Sequence, residues 1–363
     1  MNIAFDSQEP ITVDGGQGEG GGQVVRTSLT LSMVTGRPLE LINIRANRNP
    51  SGLKRQHLTC VQAAAAISQA ETNDVRVGSS ELQFTPGPIK SGDYRFDIGT
   101  AGSTTLVAQT IALPLSMTHA PSRVSIRGGT YNTMAPPFDF FQTSYLPLLR
   151  KMGFGIHAQM ASPGFYPKGG GELDLRIQPF VNLKTLALPR KAEWQKKAVH
   201  CILGNLPKHI AETEIATFTR KLGWGKKHAR TTTFHDCLSP GNVLMAELKS
   251  EELTEVITEF GKQGLPAEKV AAKLARTTKS FLESGHVVGP HLADQLLLPM
   301  AMVVGNHDET SNQGLKTCSF WTGPLTEHAT THIKLLEQFL PLQVQIKEHD
   351  QGTVELTLSP APQ

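Results

Sequence analysis

Asp14-Gly-Gly-Gln-Gly-Glu-Gly-Gly-Gly-Gln23 is the stretch whose reading decides the fold. An apolar segment, Ile11 to Val13, reads as a strand running into it. Val24 to Val34 follows, with Val25, Leu29, Leu31 and Met33 marking a helix that Gly36 and Pro38 stop. Strand, glycine loop and helix open an α/β unit. Leu39 to Ile44 then alternates as a second strand. A polar loop, Arg45 to Ser51, leads to a second helix expected from Leu53 to Ile67.

The same order recurs downstream. Gly99-Thr-Ala-Gly-Ser103 opens a helix ending at Leu115-Ser116-Met117, which echoes Leu31-Ser32-Met33. Val124-Ser-Ile-Arg127 echoes Ile42-Asn-Ile-Arg45, and Pro136 precedes a helix from Phe138 to Met152 as Pro50 precedes the one from Leu53. The offsets are 84, 82 and 86 residues, so the pattern reads as a duplicated unit rather than chance likeness between glycine-led helices. A weaker third copy starts at Gly289, with helices from Leu296 to Val304 and from Thr330 to Leu340. Between 184 and 286 the glycine clusters vanish and basic residues become frequent. Helices are expected there over His209–Leu222, Glu251–Lys262 and Ala267–Glu283. The expected division is residues 1–183 with 287–363 as one body and 184–286 as a smaller inserted domain.

Composition narrows the class. A chain of 363 residues accommodates two or three domains at roughly 150 residues each. Its net charge of +3 argues against a nucleic-acid binder that works by bulk charge, while leaving room for a local basic site. The 39% hydrophobic content supports real cores. No apolar run reaches the ~20 residues of a membrane span. The first ten residues carry Asp6 and Glu9 and no basic-then-apolar pattern, so no secretory signal is expected. Cys60, Cys201, Cys237 and Cys318 lie far apart, which suits a reducing cytoplasm and neither a zinc site nor a disulfide framework.

The glycine loop contains G-x-G-x-x-G at Gly16, Gly18 and Gly21. The following strand ends in Arg45 instead of the acid a nicotinamide site requires, and the Gly-Lys-Ser/Thr of a Walker A loop is absent. What remains is a set of backbone N–H groups before a helix, an anion cradle. Glu19 among them makes sense if a divalent cation bridges it to phosphate oxygens; the plain alternative is a tight turn with a solvated acid. Arg26, Arg45, Arg48, Lys54 and Arg55 could converge on one phosphate-rich ligand or be scattered surface charges. His328 and His332 stand four apart, a spacing that zinc ligands use, but the Glu of H-E-x-x-H is missing. Capping, packing or a nucleophilic imidazole are the other readings.

Taken together, these segments resemble the RNA 3′-terminal phosphate cyclase family. The glycine loop carries the resemblance with Ile44-Arg-Ala-Asn-Arg48, Gly52-Leu-Lys-Arg-Gln-His-Leu58, Gly92-Asp-Tyr-Arg-Phe96 and Gly99-Thr-Ala-Gly-Ser103. Ala135-Pro-Pro137, Gly164-Phe-Tyr-Pro-Lys-Gly-Gly-Gly171 and His291-Leu-Ala-Asp-Gln295 continue it. The resemblance implies an α/β fold of three repeated units, each two helices on a four-stranded sheet, plus the insert. It implies ATP as adenylate donor, a Mg²⁺ or Mn²⁺ ion and RNA with a 3′-phosphate as partner. It leaves the oligomeric state open, a homodimer being one option. The implied nucleophile is His328, although the usual His-x-x-Thr-Asn here reads His328-Ala-Thr-Thr-His332. The implied ATP contacts are Gln109, Pro136, His291, Leu292, Ala293, Asp294 and Gln295, with His291 stacking on adenine against a proline. Arg26, Arg45, Arg48 and Gln56 would surround phosphates or RNA, and Glu19 would bind the metal. Two rivals remain. A non-catalytic ribosome-assembly branch of the superfamily is expected to lack the histidine, and a small-molecule transferase on a similar repeat would need neither histidine nor ATP.

Overall fold

Ile11 and Val13 are buried on one side of β1 (Ile11–Asp14) while Thr12 is exposed on the other. The computed structural model describes residues 9–306 and 316–362, so the expectation about a leader, which rests mainly on residues 1–8, lies outside the described residues. α1 (Gly22–Thr35) crosses from β1 to the parallel β2 (Leu39–Ile42). α2 (Arg55–Ser68), β3 (Glu71–Thr72) and β4 (Leu82–Thr85) complete a sheet of order β1-β2-β4-β3. The second unit runs β5 (Asp93–Asp97), α3 (Thr104–Ser116), β6 (Ser122–Gly128), a helical segment, β7 (Gly155–Ser162) and β8 (Gly171–Gln178). Its order, β5-β6-β8-β7 with β5 and β6 parallel, repeats the first connectivity position for position. The helix expected over 138–152 is broken into α4 (Phe138–Phe140), a wider π turn over Phe141–Tyr145, and α5 (Leu146–Lys151). Pro147 in the first turn of α5 has no N–H to continue a regular ladder.

Residues 196–284 form a different sheet. β9 (Lys196–Gly204), α6 (Lys208–Leu222), β10 (Ala229–Phe234), β11 (Gly241–Lys249), β12 (Thr254–Phe260) and α7 (Ala267–Ser284) give the order β10-β9-β11-β12. The helix expected over Glu251–Lys262 is therefore wrong: β12 is a strand paired antiparallel with β11 from Lys249–Thr254 to Val243–Phe260. Acids at 251, 255 and 259 imitate a helical spacing, but Val256, Ile257 and Thr258 are three consecutive β-branched residues, which favour the pleated surface. One face of this sheet, with Cys201, Leu203 and Leu244, packs under α6 and α7 as a second core. Ile202, Met245 and Val256 on the other face join the main core.

The chain then enters α8 (Pro290–Gly305), β13 (Cys318–Thr322), α9 (Glu327–Phe339), β14 (Leu342–Glu348) and β15 (Val354–Pro360). The order β13-β15-β14 reproduces three of the four positions of the earlier units. Where a first strand would lie, Ala187 and Val288, from either side of the insert, make single parallel bridges to Ser319 and Thr322, so the four-stranded expectation is met only by isolated bridges among the described residues. The insert divides that edge, with residues 186–188 bonded to Ser319 before it and Val288 bridged to Thr322 after it.

Glu255 of β12 ties the insert to α8. Its side chain is buried, and its Oε2 accepts the backbone N–H of Gly289, the residue that precedes α8, at 3.0 Å. Burial pushes the Glu255 carboxyl up to about 8, with the Gly289 bond pulling the other way. Between the ordinary value of 4.5 and about 8 the unfolded chain has released this proton and the folded chain keeps it. Stability therefore falls as pH rises through that window, by up to about 1.4 kcal/mol per unit. Glu255→Gln should raise the melting temperature over the unsubstituted protein, and the gain should widen from pH 5 to pH 8. A gain of the same size at both ends of the range would contradict this assignment.

Candidate active site

The first turns of α1, α8 and α9 meet at one place. No side chain caps α1, so its leading N–H groups are open to an anion. Thr326 caps α9, its Oγ1 accepting from Ala329 N at 3.1 Å, which puts His328 in that helix's first turn. The glycine loop is pressed against α9: Gly18 has φ +56° and a Cβ there would lie 2.1 Å from Thr331 Oγ1. At Gly22 a Cβ would strike His57 Nε2 at the same distance. These two glycines are required by close approach, and Gly18 also by its left-handed backbone.

His328 is held through one ring nitrogen and faces a carboxylate with the other. Its Nδ1 lies 2.8 Å from Gln23 Oε1, and its Nε2 lies 3.4 Å from Glu19 Oε1. The Gln23 amide has its orientation set by Asp294, whose Oδ1 accepts from Gln23 Nε2 at 2.5 Å. An ionised carboxylate can only accept, so the Gln23 nitrogen faces Asp294 and its oxygen faces His328. Nδ1 of His328 therefore carries the proton and Nε2 the lone pair. Burial would raise Asp294, but the His332 bond and charge, the Gln23 bond and the charge of His328 hold it below the usual carboxylate value. Partial burial holds His328 below the ordinary imidazole value; Asp294 opposes this, and Arg26 and Arg48 reinforce it. The imidazole is thus neutral at neutral pH. His332 is buried and braces Asp294, its Nδ1 3.3 Å from Oδ1 and 3.1 Å from the backbone oxygen. Its Nε2 is 3.4 Å from Thr27 Oγ1.

The remaining expected residues fall into distinct places. Arg48 donates from Nη2 to the Glu19 backbone oxygen at 3.0 Å and pairs with the Glu19 carboxylate. Arg45 is buried with φ +55°, and its Nη1 donates to Pro50 O at 2.9 Å and Gly52 O at 2.8 Å. It clamps its own loop. Gln56 Oε1 accepts from Ser103 N at 3.0 Å, linking α2 to the second unit's glycine turn. From there Ser103, Thr105 and the Pro136 carbonyl form a short chain of bonds. Gln109 Nε2 donates to Gln295 Oε1 at 2.5 Å, and Gln295 Nε2 to Asp294 Oδ2 at 3.2 Å. Gln109, Gln295, Gln23, Arg26, Tyr145 and His332 line a cavity of about 40 Å³ behind the cleft. His291 is exposed, whereas Leu292 and Ala293 are buried in the core, their side chains turned from the cleft.

No group of three or more His, Cys, Asp or Glu suited to a metal occurs among the described residues. Glu19, a lone carboxylate beside an anion cradle, fits a cation that draws most of its ligands from phosphate and water. Three residues escaped the sequence reading: Gln23, Thr331 and His57. His57 Nδ1 accepts from Lys54 N at 3.1 Å, so its Nε2–H faces the glycine loop. Burial, then Arg26, Arg45 and Lys54, push it down to about 3, which keeps it a neutral donor. Its one signal was its place inside Arg55-Gln-His-Leu58, three residues after the basic pair Lys54-Arg55 begins. Nitrogen-15 spectra of the histidines at neutral pH should show His328 as the Nδ1–H tautomer, with Gln23→Ala mixing the two forms. An Nε2–H signal in the unsubstituted protein would overturn this orientation of the ring.

Fold and cleft define an α/β protein of repeated units whose helix starts meet at one cleft. The family model described as RNA 3′-terminal phosphate cyclase matches residues 17–346. RNA 3′-terminal phosphate cyclases of Koribacter versatilis and Pseudomonas fluorescens are 42% and 43% identical to the chain over 340 residues, covering 94% of it and 92% and 95% of their own lengths. That of Salmonella typhimurium is 40% identical over 342 residues, covering 94% of the chain and 97% of its own. The chain belongs to the RNA 3′-terminal phosphate cyclase family. Among solved structures, the enolpyruvyl transferase NikO from Streptomyces tendae aligns with a TM-score of 0.25 and 14% identity over 46% of this chain and 33% of that one, too weak a likeness to carry the fold. No helix among the described residues is long and apolar enough to cross a membrane.

Proposed function

We infer that this enzyme closes a 2′,3′-cyclic phosphate at an RNA 3′-phosphate end, driven by ATP through an adenylate on His328. The observation that carries the reading is the Gln23–His328 bond, which leaves a neutral Nε2 lone pair facing Glu19 and the glycine loop. Nε2 attacks the α-phosphorus of ATP; the N–P bond forms, the bond to the β-phosphate oxygen breaks, and pyrophosphate leaves. The RNA 3′-phosphate then takes AMP from the imidazole. Finally the vicinal 2′-hydroxyl attacks that activated phosphorus, losing its proton and expelling AMP. The last step is intramolecular, so its geometry is largely paid in advance.

Chain groups divide the work. The open N–H groups of α1, the His57 donor and the Arg48 and Arg26 guanidinium groups receive phosphate oxygens. Asp294, Gln295, Gln109, Pro136 and His291 sit where a nucleoside would be held. A cation on Glu19 would neutralise phosphate charge. Arg45 acts on phosphate through the loop it clamps. Residues 1–183 with 287–363 make the catalytic body in this reading and 184–286 the insert. Four free, buried cysteines suit the cytoplasm.

Incubation with ATP labelled at the α-phosphate should attach acid-labile label to the protein, and His328→Ala should abolish it. Label persisting in His328→Ala refutes the assignment. Arg48→Ala should weaken discrimination of 3′-phosphate over 3′-hydroxyl ends with little change in melting temperature. Arg45→Ala, by freeing two loop carbonyls, should cost about 1–3 kcal/mol of stability. Equal melting losses in both variants would show that the two arginines are not divided in this way.

A further inference from the structure

We propose that one end of the inserted sheet is a landing surface for the RNA chain upstream of its reacting end. This rests on the cyclase reading and adds a surface that the catalytic body does not supply. Charge is unevenly shared. Residues 196–284 carry 14 Lys and Arg against 10 Asp and Glu, a net +4, while the rest of the chain carries 21 against 22, a net −1. The near-neutral total conceals a basic insert on a near-neutral body.

Topology then gathers the positive charge. β9 and β10 are parallel and α6 crosses back between them, so the last turn of α6 and the starts of β9 and β10 share one end. Lys197, Arg220, Lys221, Lys227, His228 and Arg230 all lie there. Arg220, Lys221, Lys227 and His228 are exposed, and Arg230 is 54% exposed beside Glu247. The C-terminus of α6 accounts for Arg220 and Lys221 by its dipole, but not for the turn at 227–230 or for Lys197. Trp224 in the same stretch packs edge-on against Phe218 at 5.1 Å between ring centroids, which anchors the basic turn to the insert's own core.

The other end of the sheet is used differently. Gly204 and Gly241 lie against Phe165, and Ser239 Oγ accepts from Lys168 N at 3.1 Å, so that end is seated on the second unit. The large exposed apolar residues of the insert, Leu238 and Leu265, are also at that seated end among the described residues. The β11–β12 turn at the basic end bonds Lys151 of the second unit through the Glu251 and Glu252 backbone oxygens, so the free part is the α6–β10 side, which offers charge without large exposed apolar residues and selects a polyanion over a protein face. It is also near the cleft. Lys197, Leu248 and Glu255 lie in one cross-strand row, and Glu255 bonds to Gly289 at the start of α8. Two strand spacings, about 10 Å, separate Lys197 from the strand that touches α8. RNA leaving the cleft past α8 meets this surface.

The test compares the full-length enzyme with R220E/K221E/K227E on single-stranded RNA 3′-phosphates of about 20 and about four nucleotides. For the long strand, Kd should rise at least about tenfold and the slope of log Kd against log salt should flatten by about 2. The four-nucleotide substrate and self-adenylation with ATP alone should be unchanged, which also shows that the variant is folded. R220Q/K221Q/K227Q should give an intermediate loss. Unchanged binding of the long strand, as expected if the patch serves a protein, overturns the proposal, and so does an equal loss with both lengths. Failure of the unsubstituted enzyme to self-adenylate would sink the cyclase mechanism instead, while the binding comparison would still decide the surface.

Discussion

One carboxamide, Gln23, joins the first turn of α1 to the first turn of α9 across 305 residues of sequence. Its nitrogen is committed to a carboxylate and its oxygen to an imidazole, so neither end can turn over without losing a bond. Everything chemical at the site follows from that commitment. It sets which nitrogen of His328 carries the proton, and therefore which one is free to react. Asp294 sets the orientation of Gln23, and His332 holds Asp294. The second histidine, standing where the family pattern has asparagine, braces Asp294 behind Gln23, so in the proposed mechanism it does not compete with His328 for the role of nucleophile.

The repeated fold makes such a site possible. Each unit presents a helix start beside a glycine turn, and packing the units together brings several starts to one cleft. Uncapped N–H groups there would be a cost in a closed core, but beside a phosphate they are donors. The glycines at 18 and 22 let the loop approach Thr331 and His57 closely enough to seal the arrangement. The insert adds a contact at the start of α8 through Glu255, so that helix is braced by a strand from outside the repeats.

Much of this was legible in the residues. The glycine turns at 14–23 and 99–103 marked the helix starts, and the near-constant offset marked the duplication. The strand at 254–260 was hidden by acids spaced like a helix face, and the third unit's first strand by its division between residues 187 and 288, about a hundred apart in sequence. At the site, Glu19, Asp294 and His328 stood out by type and setting, and the fold brings them together through Gln23. Arg45 was read by its charge, yet a left-handed backbone turns its guanidinium onto carbonyls five and seven residues away. Leu292 and Ala293 belong to a motif whose polar members face the cleft while they face the core. Tautomers, amide orientation and the neutral state of His57 depend on contacts between distant segments, which spacing along one chain does not encode.

Nε2 of His328 as the reacting atom is the claim on which the chemistry turns. It is tested most directly by trapping the enzyme with ATP and reading phosphorus–nitrogen coupling in protein labelled with nitrogen-15 histidine. One phosphoramidate, through Nε2, is expected in the peptide bearing residue 328. A bond through Nδ1, or an adenylate on His291 or His332, would contradict it.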